Sequence, residues 1–145
     1  MMIKYNLSAV ASLVGAKFNT PRPGDTGYDI ASAEPVTLFR GERKLIPTGL
    51  RVEVPEGCVG LMRERSSLAA KGIYLHAGVI DRGFRGEIQV LLHNASETNY
   101  QIEPGQRIAQ LLFLKCESKI PVIHVNKEEF SESIRGELGF GSTGK

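Results

Sequence analysis

Two aspartates, an arginine followed by a pair of serines, and a glycine-rich C-terminus have the residue types and spacing to do chemistry in this chain. They fall in five stretches: "GDTGYDIAS" (24–32), "RERSSLAAKG" (63–72), "AGVIDRGFRGE" (77–87), "PGQRIAQL" (104–111) and "RGELGFGSTGK" (135–145). Arg65 with Ser66 and Ser67 at the mouth of a short helix offers a guanidinium fork, hydroxyls and unpaired N–H groups, an inventory that suits an oligophosphate. Asp29 and Asp81 could serve a hard cation and its waters, or activate a nucleophilic water. The last stretch supplies Arg135, Ser142, Thr143 and exposed amides, with Phe140 as a flat face for a base. Each stretch alone has a plain structural explanation, because Gly27 and Gly83 suit turns while Asp29, Asp81 and Ser66 suit caps. Together their residue types fit one ligand made of a base, a sugar and several phosphates.

The C-terminus also reads as GxxxxGK from Gly139 to Lys145, which is most of a P-loop without the Ser/Thr and helix that complete one.

The elements that position these stretches read as β. Short apolar or alternating runs recur at 3–7, 36–39, 50–54, 58–62, 88–93, 107–114 and 121–125, separated by turn signals such as Pro23-Gly24, Pro55-Glu56-Gly57 and Pro104-Gly105. In "LRVEV" the apolar Leu50, Val52 and Val54 alternate with Arg51 and Glu53, which predicts one wet face; "IAQLLFL" is nearly continuous and predicts burial on both. Helix-like residues are confined to 67–71 and 127–134. An all-β, jelly-roll-like sandwich of short strands is the expected fold, with a core over 1–126 and a polar, glycine-rich tail over 127–145 that stays mobile until a ligand binds.

The chain has 145 residues, enough for one domain with a substantial core, and a formal charge of +2 from 18 basic and 16 acidic residues. The charges are scattered, so no nucleic-acid partner is expected. "AVASLVGA" is too short to span a membrane and lacks a basic leader, which predicts a soluble, cytoplasmic protein with no membrane partner. Cys58 and Cys116 lie in apolar contexts and read as reduced core cysteines. His76, His93 and His124 form no HxH or HExxH pattern and no nucleophile elbow surrounds a serine, so the histidines receive neither a catalytic nor a metal role.

In this order, the five stretches resemble the five motifs of the trimeric deoxyuridine triphosphatase (dUTPase) family, over about residues 24–145, with "AGVID" and "GFGSTG" the most specific. The resemblance implies a jelly-roll homotrimer that hydrolyses dUTP to dUMP and pyrophosphate with Mg²⁺. It makes Asp81 the base for the water that attacks the α-phosphorus, and gives Asp29 the waters of a Mg²⁺ held mainly by substrate phosphates. Arg65, Ser66, Ser67 and Gln110 then bind phosphate, backbone groups of Gly78, Val79 and Ile80 read the base edge, and Phe84 presses on the sugar. The tail, with Arg135, Phe140, Gly141, Ser142 and Thr143, closes over a site built by neighbouring subunits. Phe84 stands where tyrosine is usual, and Thr26, Glu64 and His76 are further departures.

Two alternatives follow from the same stretches. A dCTP deaminase shares the fold, but its catalytic glutamate aligns with Leu91, which cannot shuttle protons. A nucleotide-binding regulator without turnover would have no need of a water-activating carboxylate at Asp81.

Overall fold

The computed structural model describes residues 2–117 and 119–134. Among these residues ten strands are formed: β1 (Lys4–Leu7), β2 (Tyr28–Ala31), β3 (Val36–Leu38), β4 (Arg43–Glu53), β5 (Cys58–Glu64), β6 (Ile73–His76), β7 (Val79–Ile80), β8 (Ile88–Asn94), β9 (Tyr100–Ile102) and β10 (Arg107–Lys115). Two short helices, α1 (Ala9–Leu13) and α2 (Ser66–Ala69), interrupt them, and a 3₁₀ turn spans Lys127–Glu129. All pairings are antiparallel, in sheets of order β1-β4-β8-β6 and β2-β10-β5-β7 with a β3-β9 ribbon.

Both four-stranded sheets contribute to one apolar cluster, with Ile30, Met62 and Leu111 from one and Ile46, Val90 and Leu92 from the other. This is the expected all-β, jelly-roll-like sandwich. The alternation in β4 behaves as its pattern predicts, since Leu50 and Val52 are buried while Arg51 is exposed. A bulge between Pro47 and Leu50 is pinned by Glu87, whose carboxylate accepts from the N–H groups of Thr48 (3.0 Å) and Gly49 (2.9 Å). That contact anchors the foot of the 81–87 loop to the sandwich.

Four expectations need correction. β10 is not buried on both faces: Ala109 and Leu111 are fully buried, but Leu112 is only half-buried and Leu114 is 42% exposed. Register puts Leu112 beside Leu61 and Val79, and Leu114 beside Val59, so this sheet has an apolar outer side that no other part of the described chain covers. Residues 121–125 form no strand, because Val122 (97% exposed) and Ile123 (82%) find no partner strand among the described residues. Helix α1, capped by the Ser8 hydroxyl, lies outside both stretches expected to be helical. Cys58 is buried as expected, but Cys116 is exposed just beyond the end of β10.

Candidate active site

The phosphate-type residues do come together. Where β5 ends, Arg65 adopts an extended conformation and its carbonyl accepts from the N–H groups of Leu68 and Ala69, starting α2. The first-turn N–H groups of Ser66 and Ser67 therefore have no intrahelical acceptor and stand beside their own hydroxyls. Across the sheet, Gln110 on β10 pairs with Arg63 on one side and Asp29 of β2 on the other. Its carboxamide donates to the carbonyl of Glu64 at 3.2 Å. Gly27 permits this placement, because a Cβ there would collide with the Gln110 carboxamide.

Asp29 is the hub of this cluster. One carboxylate oxygen lies 3.3 Å from Nε of Arg65, and the other accepts from Nη1 of Arg107 at 3.0 Å. Arg65 also donates to the carbonyl of Arg107 at 3.2 Å, so its guanidinium is held at two points. Together Arg65, Ser66, Ser67, Gln110, Asp29 and Arg107 line a polar cleft of about 380 Å³. A neighbouring cleft of about 570 Å³ shares Asp29 and Arg107 with it and adds Lys17, Asn19 and Thr20. Arg107 is the residue that sequence reasoning passes over. It stands three positions before Gln110 in the same stretch, but its partner becomes visible only from the β2–β10 register.

The other predicted residues lie on the hairpin at the far end of β5. Gly78 accepts from the N–H of Met62 at 2.7 Å, and Val79 and Ile80 pair with Leu61 and Gly60. Gly78 has φ of 119°, and a Cβ there would press on the Met62 carbonyl. The side chain of Ile80 is buried, whereas Val79 is 64% exposed. Asp81 follows, exposed, and its carbonyl accepts from the N–H of Phe84 at 3.0 Å in a turn.

Among the described residues the Asp81 carboxylate has no hydrogen-bond or ion-pair partner, although arginines flank it. Arg82 pairs with Glu56 at 3.0 Å, and Arg85 donates to the carbonyls of Arg82 (2.7 Å) and Phe84 (2.9 Å). The ring of Phe84, 40% exposed, lies over Gly86, where any Cβ would strike it.

One chain does not bring the two groups together. Asp81 lies one residue past Ile80, level with Val59, whereas Gln110 lies level with Arg63. Four residues of strand are about 13 Å, and the hairpin and β2 stand three strand spacings apart, about 14 Å, so Asp29 and Asp81 are on the order of 20 Å from one another. Arg135, Phe140, Gly141, Ser142 and Thr143 lie outside the described residues. Leu91, the position a deaminase would fill with glutamate, is half-buried on β8 opposite His76.

Known proteins resemble this chain in both sequence and fold. The dUTPase family model matches residues 15–144. The deoxyuridine 5'-triphosphate nucleotidohydrolase of Clostridium tetani is 42% identical over 127 residues, covering 83% of each chain. Among solved structures, the dUTPase of Staphylococcus bacteriophage 80alpha with dUPNHPP superposes with a TM-score of 0.86 at 31% identity, covering 99% of both chains. A variant of the dUTPase of phage phi11 of S. aureus, in which a structural Mg(II) ion is coordinated, gives 0.77 at 27% identity over 90% of this chain and all of that one. The chain belongs to the dUTPase family. Among the described residues, no helix is long and apolar enough to cross a membrane.

Proposed function

We propose that this chain acts as a dUTP diphosphatase, hydrolysing dUTP to dUMP and pyrophosphate in sites shared between the subunits of a homotrimer. The observation that carries the shared site is the separation of Asp81 from the phosphate cleft. A general base must reach its proton directly or through one water, and a carboxylate on the order of 20 Å from the phosphate grip cannot do so within one chain. Two chains can, if the hairpin of one faces the cleft of the next. The apolar outer side of the β2-β10-β5-β7 sheet, with Leu61, Val79, Leu112 and Leu114, supports assembly of this kind.

In such a site the arginine fork of Arg65, the hydroxyls and N–H groups of Ser66 and Ser67, and the carboxamide of Gln110 hold the phosphate chain in line. Asp81 accepts a proton from water as that water attacks the α-phosphorus, and the bond from the α-phosphorus to the bridging oxygen breaks to release pyrophosphate. The backbone of Gly78 to Ile80 presents amides to the base edge, and the Phe84 ring covers the deoxyribose face where a 2′-hydroxyl would need room. Residues Arg135, Phe140, Gly141, Ser142 and Thr143 supply a cation, hydroxyls, amides and a stacking ring to close the site. Product dUMP supplies thymidylate synthesis, and removal of dUTP keeps it from polymerases.

The residues present fit a Mg²⁺ carried mainly on the substrate. Both oxygens of Asp29 already face guanidinium groups, so this carboxylate would serve the metal's waters rather than bind it directly. Bound on the phosphates, Mg²⁺ would neutralise charge that develops during the displacement.

The test is to incubate the chain with Mg²⁺ and each deoxynucleoside triphosphate and identify the products. Pyrophosphate with dUMP, from dUTP alone, is the expected result. Ammonia with dUTP from dCTP would mean a deaminase, and no product from any nucleotide would mean a binding protein.

A further inference from the structure

We propose that His76 and His93 form a two-imidazole site for a first-row transition cation of the Zn²⁺ or Ni²⁺ type, separate from the magnesium carried on the substrate. The two histidines sit on neighbouring strands: His93 of β8 is paired with Tyr74 of β6, and His76 is two residues further along on the same side of that sheet. Their ring centroids are 5.3 Å apart with the planes inclined at 38°. Two imidazoles bound to one tetrahedral ion through Zn–N bonds of about 2.0–2.1 Å hold their ring centres on the order of 5 Å apart, so the observed centroid spacing fits a chelating pair.

A second, independent feature points to a ligand. Nε2 of His76 is the one buried side-chain nitrogen or oxygen among the described residues that lacks a hydrogen-bond partner. A buried polar atom left unpaired is costly, and a metal bond would satisfy it. Imidazole nitrogen suits borderline cations, whereas Mg²⁺ prefers oxygen, so the pair discriminates against the ion that serves the reaction. The side chains around the pair are Tyr74 and Leu91, with Arg43 and Leu45 in the adjoining strand rows. Arg43 is the cation of this surface and opposes the charge of the ion, which limits affinity, and water fills the remaining coordination positions.

The site lies at the foot of the hairpin. His76 leads directly into Ala77, which has φ of 60°, a left-handed conformation that alanine rarely adopts, and then into Gly78 to Asp81. An ion bridging β6 to β8 would brace the strand that carries this strained turn.

The experiment is to titrate the full chain with Zn²⁺ and with Ni²⁺, in buffer containing Mg²⁺, by calorimetry and by NMR of the histidine rings. Saturable binding of one ion per chain is expected, with the rings of His76 and His93 shifting together. His76→Ala or His93→Ala should weaken it at least about tenfold by removing one of two protein ligands, while His124→Ala and Cys116→Ser, which remove an exposed imidazole and an exposed thiol elsewhere, leave it unchanged. Absence of saturable binding would overturn the proposal. So would binding that persists in the double histidine variant or that disappears with His124→Ala or Cys116→Ser. Melting curves without metal check that each variant folds; should either alanine variant fail to fold, ring shifts confined to His76 and His93 in the unaltered chain support the site, and shifts confined to His124 refute it.

Discussion

At one end of β5, Asp29 is gripped by two guanidinium groups, 3.0 Å from Arg107 and 3.3 Å from Arg65; at the other end, the carboxylate of Asp81 has no partner among the described residues. The arginines beside Asp81 in sequence are turned away, Arg82 toward Glu56 and Arg85 toward the carbonyls of its own loop. In the proposed mechanism the same side chain serves two different tasks. A carboxylate whose oxygens already accept from two arginines orients those arginines and makes a poor base. One that is exposed and unengaged can take a proton from water, but only when substrate brings the water to it.

The difference can be tested at each end, beginning with the largest effect. Asp81→Asn keeps size and shape and removes the proton acceptor, so turnover should fall at least about 100-fold, the scale of a lost general base. Binding of a non-hydrolysable dUTP analogue should be retained, measured by calorimetry beside steady-state kinetics. Near-normal turnover would remove Asp81 from the mechanism.

Arg65→Ala acts on the other end. It deletes the proposed phosphate fork and frees half of Asp29, and a charge-assisted contact worth about 1.5–3 kcal/mol predicts a loss in kcat/KM on the order of 10- to 100-fold. A change in kcat/KM below twofold would mean that the cleft does not hold the phosphates.

Phe84→Ala separates the hairpin's two roles, since it leaves Asp81 in place and opens space at the sugar. The UTP/dUTP ratio of catalytic efficiencies should rise on the order of tenfold, the effect of removing a steric wall. An unchanged ratio would place sugar selection elsewhere. The smallest effect is expected for Arg107→Ala, which takes away one of Asp29's two partners at a half-exposed position. A loss of about two- to fivefold in kcat/KM is expected, within the range of an exposed ion pair. A loss as large as that of Arg65→Ala would show that Arg107 itself contacts substrate.

Much of this was legible in the sequence because it is local. Turn glycines, the alternation of Leu50, Val52 and Val54, and the adjacency of Arg65 to two serines are each visible within a few residues. What was hidden depends on register. Arg107 meets Asp29 only because β2 and β10 are adjacent, and His76 meets His93 only because β6 lies beside β8. Helix α1 was missed because five residues give too little periodicity to distinguish it from loop. The misreading of β10 has another source: an apolar run shows that both faces avoid water, but not whether the cover for the second face comes from the same chain.

The claim that one site is built from two chains is tested most directly by pairing two impaired variants, Asp81→Asn and Arg65→Ala, each weakened at a different end of β5. They are unfolded together, refolded, and checked for mixed trimers by native mass spectrometry before dUTP hydrolysis is assayed. If each site takes its hairpin from one subunit and its cleft from the next, random mixing leaves about one site in four with both halves intact, because each half is sound with even odds. Activity near a quarter of the unaltered protein's is therefore predicted, above that of either parent assayed alone. Mixed trimers no more active than the two variants assayed separately would contradict the shared site and return Asp81 and Arg65 to a single chain.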